Sequence, residues 1–452
     1  MSLSKNKEFV IQDLTPVVID LLSNEKRAIA FEILELYYKR AESLADFDTL
    51  GYLSLKAEHR ELYLKCAESA YIKAETSEQL YLARGNLYKA YNAMNQPEKA
   101  LFYIDINLSI DPDSFETQTQ RAFNLALMGD RTTSENMLLT LRDQYPEYAK
   151  EMKNALSGKM LRDGNTAEGI LAFIESTKPK NGRFEESLKM TRWNGTIQPG
   201  RTIYVDGEGG IGDEIINIRF FDYIKSLGMK PILYSTWSKY REDTVNLFRR
   251  NGFEVITETY SIDRTQLWVP MMSLPGVLNL DETKLWRKPY LSPIKNPKNK
   301  LKGNRFKIGI KCSGNPYFSQ DEYRKIPLET MLKYLPENAD IYYIDKEVGH
   351  TGTIDLGDRI ESWEDTLDFI DQMDCIVSSC TSLVHAAGAM GKTTFVIVPI
   401  AEYYIWSTTR KDTVSPWYGP NFQVHKQTQV RSWSEPLTAV SNQLQKLMET
   451  KQ

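Results

Sequence analysis

Apolar side chains recur at three- and four-residue spacing from residue 15 to 178, with few β-branched runs and little Gly or Pro. That stretch is predicted to be helical throughout. The texture changes at 181–200, where Gly182, Gly195, Pro199 and Gly200 mark a connecting segment. Beyond it short apolar runs alternate with helical patterns. TIYV (202–205) leads into a helix over 213–227, PILYS (231–235) into one over 238–251, and FEVI (253–256) and LWV (267–269) follow. A second break at 288–305, rich in Pro, Asn and Lys, precedes FKIGIK (306–311), IYYI (341–344), CIV (375–377) and TFVIV (394–398). Strands alternating with helices predict parallel sheets covered on both faces. A last helix over 434–448 carries Leu437, Val440, Leu444 and Leu447 on one face, an arrangement suited to packing back across the domain junction. The expected domains are therefore helical at 1–180, α/β at 181–295 and α/β again at 296–452.

The helical stretch is also periodic. Asn95, Gly129 and Gly164 sit in turns 34 and 35 residues apart, and Pro112, Pro146 and Pro179 follow at 34 and 33. The copy at 80–113 resembles the tetratricopeptide repeat, with small Ala90 and Ala100 where paired helices approach and Pro112 closing the unit. Residues 15–79 are helical but too divergent to count. A repeat buries its apolar face only against neighbours, so a short solenoid is expected, serving either as a plain scaffold or as a groove for a protein partner.

Composition narrows the class. The 452 residues are 41% hydrophobic and 26% charged, the balance of an ordinary globular chain, and the length calls for two or three domains. A formal charge of −4 gives no global basic field to draw in nucleic acid or anionic membrane. Cys66, Cys312, Cys375 and Cys380 lack CxxC spacing, and four histidines give no metal-ligand cluster, so free thiols and no metal are expected. The early lysines precede no apolar run, and no stretch approaches about 18 apolar residues. The expected location is the cytoplasm, or a host's cytoplasm if the chain is phage-encoded, with no membrane span.

Three segments carry candidate chemistry. In VDGEGGIGDEIINIRFF (205–221), Gly207, Gly209, Gly210 and Gly212 follow a strand and leave a loop without side-chain bulk before a helix start. Asp213, which opens the expected helix, is either a general base that takes an acceptor's proton or an N-cap aspartate. Glu208, nearer the loop apex, is the second candidate. In KCSGNPYFSQDEYRKIPLE (311–329), Lys311, Asn315 and Arg324 are placed to wrap a diphosphate and neutralise a leaving nucleotide, while Lys325 reads as solvated. In DCIVSSCTSLVHAAGAMGKTTFVIV (374–398), Cys380, Thr381 and Ser382 set backbone amides and hydroxyls at a helix start. His385 follows on the first turns, as a donor contact or as a packed core histidine.

Together these segments resemble the bacterial heptosyltransferase-like glycosyltransferases, especially the branch fused to tetratricopeptide repeats. The resemblance covers about 190–430: WNG (193–195), PG (199–200), GEGGIGDEI (207–215), MSLPGV (272–277), PYL (289–291), SGNP (313–316), RKIPL (324–328), SSCTSLVHAAGAMGK (378–392) and SPWY (415–418), in matching order. It implies a GT-B fold, two facing Rossmann-like domains. It also implies metal-independent, inverting transfer of a hexosyl or pentosyl group from a nucleotide-sugar. Asp213 then resembles the acceptor-activating carboxylate, and Thr381, Ser382 and His385, beside Gly210 and Gly212, the donor-phosphate site. Cys380 departs from the family's frequent Asp at that place, which puts the donor in question.

The acceptor stays open among a protein, a glycan and a modified DNA base of the phage type; basic stretches at 239–250 and 296–307 would form the track for DNA. The rival class is a non-catalytic repeat scaffold with a degenerate transferase half, consistent with Cys380. A dinucleotide-dependent oxidoreductase needs an acidic residue after the second strand, and PILYSTWS (231–238) has none.

Overall fold

A computed structural model describes residues 11–24, 26–176, 183–235, 238–315, 321–346, 349–401 and 403–450. Pro179, Gly182 and Pro316, singled out in the sequence, lie outside them. The chain forms two compact units, Met1–Tyr145 with Asn315–Tyr323, and Pro146–Gly314 with Arg324–Gln452.

The first unit is a run of antiparallel helix pairs: α1 (Leu14–Ser23) with α2 (Arg27–Tyr38), α3 (Leu44–Ala57) with α4 (Arg60–Lys73), α5 (Ser77–Ala93) with α6 (Pro97–Ile110), and α7 (Phe115–Leu127) with α8 (Arg131–Gln144). Reciprocal caps start α3 and α5. Ser43 and Asp46 exchange side-chain-to-amide bonds, as do Thr76 and Gln79. The repeat shows most clearly where paired helices turn. Asn95, Gly129 and Gly164 have φ of 54°, 93° and 89°, and the next residue's N–H reaches back five positions, to Tyr91, Leu125 and Met160 O, each at 2.9 Å. Glu58 makes the same turn at φ 61°, with His59 N–H on Ser54 O at 2.8 Å, which adds a repeat that the sequence did not reveal. Residues 321–323 join this unit through Tyr323 O–H on Asn92 O (2.7 Å), Asn95 on Glu322 O, and Arg60 on Glu322.

The second unit opens with α9 (Ala149–Ala155), α10 (Ser157–Arg162) and α11 (Thr166–Ser176), so the helical region expected at 1–180 divides at residue 145. These last helices pack against the α/β part, with Leu171 against Gly276 and Arg162 bonded to Ser407.

Five parallel strands follow: β1 (Thr191–Arg192), β2 (Thr202–Asp206), β3 (Lys230–Tyr234), β4 (Val255–Ile256) and β5 (Leu267–Pro270), in the order β1-β5-β2-β3-β4. The expected helix over 213–227 starts earlier and is broken. α12 (Ile211–Ile218) ends where Arg219 turns its guanidinium back to Ile216 O, and α13 (Phe221–Ser226) resumes. α14 (Ser238–Arg250) and the short α15 (Leu274–Val277) complete this half.

The second sheet holds β6 (Phe306–Lys311), β7 (Ala339–Tyr343), β8 (Ile354–Asp355), β9 (Cys375–Ser379), β10 (Thr394–Val398), β11 (Val414–Ser415) and β12 (Gly419–Lys426). Their order is β11-β12-β10-β9-β6-β7-β8, all parallel except β11. α16 (Asp321–Arg324) ends the excursion into the repeat unit, and around the sheet run α17 (Leu328–Leu332), α18 (Trp363–Gln372), α19 (Ser382–Ala389) and α20 (Ser434–Glu449). α20 does not cross the junction. Leu437, Val440 and Leu444 pack on Ile308, Ile310, Phe395 and Ile397, one face of its own sheet.

One apolar cluster runs from Ile203, Val205 and Ile215 of the first half to Ile376, Val384 and Val396 of the second, so both sheets share a core. The architecture is helical repeats followed by two Rossmann-like halves in a GT-B arrangement. Among the described residues no helix is long and apolar enough to cross a membrane.

Candidate active site

Each sheet reverses its strand order once. From β2 the chain steps outward to β3 and β4, then returns to β5 on the other side; from β6 it steps to β7 and β8, then returns to β9. Crevices open at such reversals, past the carboxyl ends of the strands. The loop 207–210 and α12 leave β2 at the first, and Cys380, Thr381 and α19 leave β9 at the second.

The two helix starts meet. A Cβ at Gly212 would lie 2.9 Å from His385 Cδ2 and 3.5 Å from Ser382 Cα, so the first turns of α12 and α19 touch only because residue 212 has no side chain. Gly209, at φ 74°, is also required: a Cβ there would sit 2.5 Å from Asp213 Oδ2.

Asp213 is the third residue of α12. It is not the N-cap that the sequence allowed, which is Gly210; from the third position its Oδ2 accepts the Gly210 N–H at 2.7 Å and so caps the helix start from inside. Its Oδ1 accepts the Tyr403 O–H at 3.0 Å, from the segment after β10 in the other half. Glu208 Oε1 accepts the Met272 N–H at 3.2 Å. Burial, reinforced by the like charges of Asp206 and Asp213, pushes the Glu208 carboxyl up to about 7. A proton donor-acceptor poised near neutrality thus stands beside Asp213.

Across from these carboxylates stands the turn between β9 and α19. Arg324 Nη1 donates to Cys380 O at 2.9 Å and fills the space above Gly314. Thr381 is buried at the head of α19, its Oγ1 3.4 Å from Ser378 Oγ, which in turn donates to Lys311 O at 2.7 Å. Ser382, half-buried, is the first residue of α19, and Cys380 is half-buried and not in a disulfide. Lys311, at the end of β6, is ion-paired with Asp345 at the end of β7. Asn315 is exposed and belongs to the repeat unit.

His385 is packed rather than open. One ring nitrogen bonds the Tyr418 hydroxyl at 2.9 Å, and Trp406 stacks at 5.6 Å. Burial, with Arg219 and Arg324 near, pushes its pKa down to about 3, so the imidazole is neutral and brings no positive charge to a phosphate.

Sequence reasoning missed Tyr403 and Arg219. Arg219 is buried in a box of Trp286, Tyr290 and Tyr418 rings, bonded to Ile216 O, Leu285 O, Trp417 O and the Tyr290 hydroxyl. The YY pair at 403–404, just past a buried strand in the second half, was the available signal for Tyr403.

No family model matches the chain, and no curated protein sequence does. Among solved structures it is similar to ADP-heptose lipopolysaccharide heptosyltransferase II of E. coli (12% identity, 55% of this chain and 99% of that one, TM-score 0.38). It is similar to a family 9 glycosyl transferase of Veillonella parvula (10%, 57% and 98%, TM-score 0.36). A variant O-GlcNAc transferase of Thermobaculum terrenum matches along more of the chain (11%, 90% and 91%, TM-score 0.36).

Proposed function

We propose that this chain is a glycosyltransferase that moves a sugar from a nucleotide-sugar to an acceptor hydroxyl with inversion and without a metal. The observation that carries the reading is the pair Glu208 and Asp213 at one strand-order reversal, facing a hydroxyl-lined helix start with Arg324 beside it at the other. Asp213 takes the acceptor proton. The amides of α19, with Thr381, Ser382 and Arg324, receive the diphosphate, whose developing charge they stabilise as the glycosidic bond breaks. Lys311 can turn from Asp345 to the same phosphates. The resemblance in motif order points the same way.

A DNA acceptor is the class we favour least. Within the basic stretches Arg250 pairs with Glu364, Lys298 with Glu361 and Asp365, and Arg305 with Asp340, so the charge of these three is already compensated. A protein or glycan hydroxyl is the acceptor class we favour. Binding to duplex DNA that weakens steeply with salt would reverse this preference.

The test is mass-spectrometric detection of sugar transfer and free nucleotide with a panel of UDP-, GDP-, ADP- and CDP-sugars, against protein, glycan and hydroxymethylated-DNA acceptors. Neither product nor nucleotide binding in any combination would favour the scaffold reading.

Glu208 gives a separate pH prediction. Its raised pKa means that the folded state holds a proton which the unfolded chain releases near 4.5, so stability is lost as pH rises from there to about 7. The Glu208→Gln variant, which cannot ionise, should therefore melt increasingly above wild type as pH rises from 5 to 8. Any limb near pH 7 in the wild-type rate profile should be absent from it. Parallel melting curves of the two proteins over that range would show that Glu208 does not titrate there.

A further inference from the structure

We infer that Tyr403 is a positioning residue that holds Asp213 Oδ1 until an acceptor arrives and then yields that oxygen to the acceptor hydroxyl. The inference rests on Asp213 being the base of the proposed reaction.

The two oxygens of Asp213 are held by different kinds of partner. Oδ2 is tied to the Gly210 amide at 2.7 Å, a bond that belongs to the start of α12 and to the left-handed turn at Gly209. Giving it up would undo the helix start. Oδ1 is held at 3.0 Å by a side-chain hydroxyl that reaches over from the other Rossmann-like half. That bond can be exchanged for an acceptor O–H without disturbing any backbone. Oδ1 is therefore the oxygen available for proton transfer.

Packing delivers the Tyr403 hydroxyl to this place. Its ring stands edge-on to Phe173 of α11 at 5.1 Å and 4.8 Å from Tyr404, while Phe173 also stacks on Tyr404 at 4.6 Å. The aromatic wedge fixes the ring whether or not the hydroxyl is present. Burial and the neighbouring carboxylates hold the Tyr403 phenol well above its ordinary pKa, so it remains a donor. Among the described residues, titratable groups near Asp213 include Glu208 on the preceding loop, Tyr404 beside Tyr403, and His385 of α19 across Gly212.

In the transfer step the acceptor proton passes to Asp213 Oδ1 and the acceptor oxygen bonds to the anomeric carbon. The anomeric C–O bond breaks, and its electron pair leaves with the nucleoside diphosphate. Water can follow the same course and waste the donor. A base held by Tyr403 is shielded from that water, and a proper acceptor must displace the hydroxyl with a better-placed one.

Tyr403→Phe removes the hydroxyl and keeps the ring. A carboxylate that loses a hydrogen-bond donor becomes easier to protonate. Infrared difference titration of the Asp213 carboxyl, assigned by comparison with Asp213→Asn, should show protonation at higher pH in Tyr403→Phe than in wild type, by about half a unit or more. With UDP-, GDP-, ADP- and CDP-glucose and no acceptor, nucleoside diphosphate release should rise several-fold in the variant, at an unchanged melting temperature. Equal titration midpoints in the two proteins would overturn the inference without touching the base assignment. Full activity in Asp213→Asn would overturn the base assignment itself.

Discussion

Replacing Asp213 with Asn is expected to lower sugar transfer and nucleotide release roughly a hundred- to ten-thousand-fold, the usual contribution of a positioned base. The fold should survive. An asparagine oxygen can still accept the Gly210 N–H, so the α12 start is kept, and the stability change should stay within about 1 kcal/mol. The amide nitrogen then stands where Oδ1 stood, and the Tyr403 hydroxyl turns to accept from it. What it cannot do is accept a proton, so the loss should fall on turnover and leave nucleotide-sugar binding in place. Titration calorimetry with the productive donor, beside initial rates, separates the two. If Asp213→Asn is active and Glu208→Gln is dead, the base is Glu208, whose carboxyl burial pushes up to about 7, and Asp213 is a capping residue only.

Much of this arrangement is legible in sequence because local backbone chemistry forces it. Asn95, Gly129 and Gly164 mark the repeat since the left-handed turn position selects those residue types. Glu58 occupies the same position and is invisible, because glutamate carries no such signature. Strands β9 and β10 are buried along their whole length and are read from their apolar runs, Cys375–Val377 and Phe395–Val398, although β9 goes on through buried Ser378 and Ser379. The strands that were missed are β1, β8 and β11, of two residues each, and β12, whose GPNFQVHK mixes exposed and buried positions near the sheet edge. The apolar stripe of α20 says that the helix packs, not on what, and its partner proved to be its own sheet.

The site divides in the same way. Glu208 and Thr381 sit on turns that follow strands, Asp213 in the first turn of the helix after one, and Arg324 at the end of the short helix after β6; all were found by searching past strand ends. Tyr403 meets Asp213 across 190 residues, a pairing that no local pattern encodes. Several motifs behind the family resemblance turn out to hold the halves together. The PYL segment binds its Tyr290 and Leu291 amides to Ala389 O, and the SPWY segment supplies Trp417 O to Arg219 and the Tyr418 hydroxyl to His385. Motif order thus reports a closed two-half scaffold as much as a reaction.

Arg219 should be the costliest buried position in that scaffold. Its guanidinium leaves the end of α12 and gathers Leu285 O and the Tyr290 hydroxyl from the linker and Trp417 O from the second half, with the Tyr418 ring 4.5 Å beneath it. These partners are carbonyls, a phenol and π-faces, so the charge is stabilised by dipoles and quadrupoles in a planar fork geometry. Arg219→Met leaves buried carbonyls without donors and is expected to cost about 3–5 kcal/mol. For a unit of this size the melting temperature should fall by roughly 6–20 °C. Arg219→Lys should be no better, since an ammonium keeps the charge, loses the fork and is more strongly hydrated. Scanning calorimetry decides between charge and geometry: a lysine variant at wild-type stability would show that the positive charge alone suffices. Both variants should also lose transfer beyond what their stability explains, because α12 carries Asp213 at one end and Arg219 at the other.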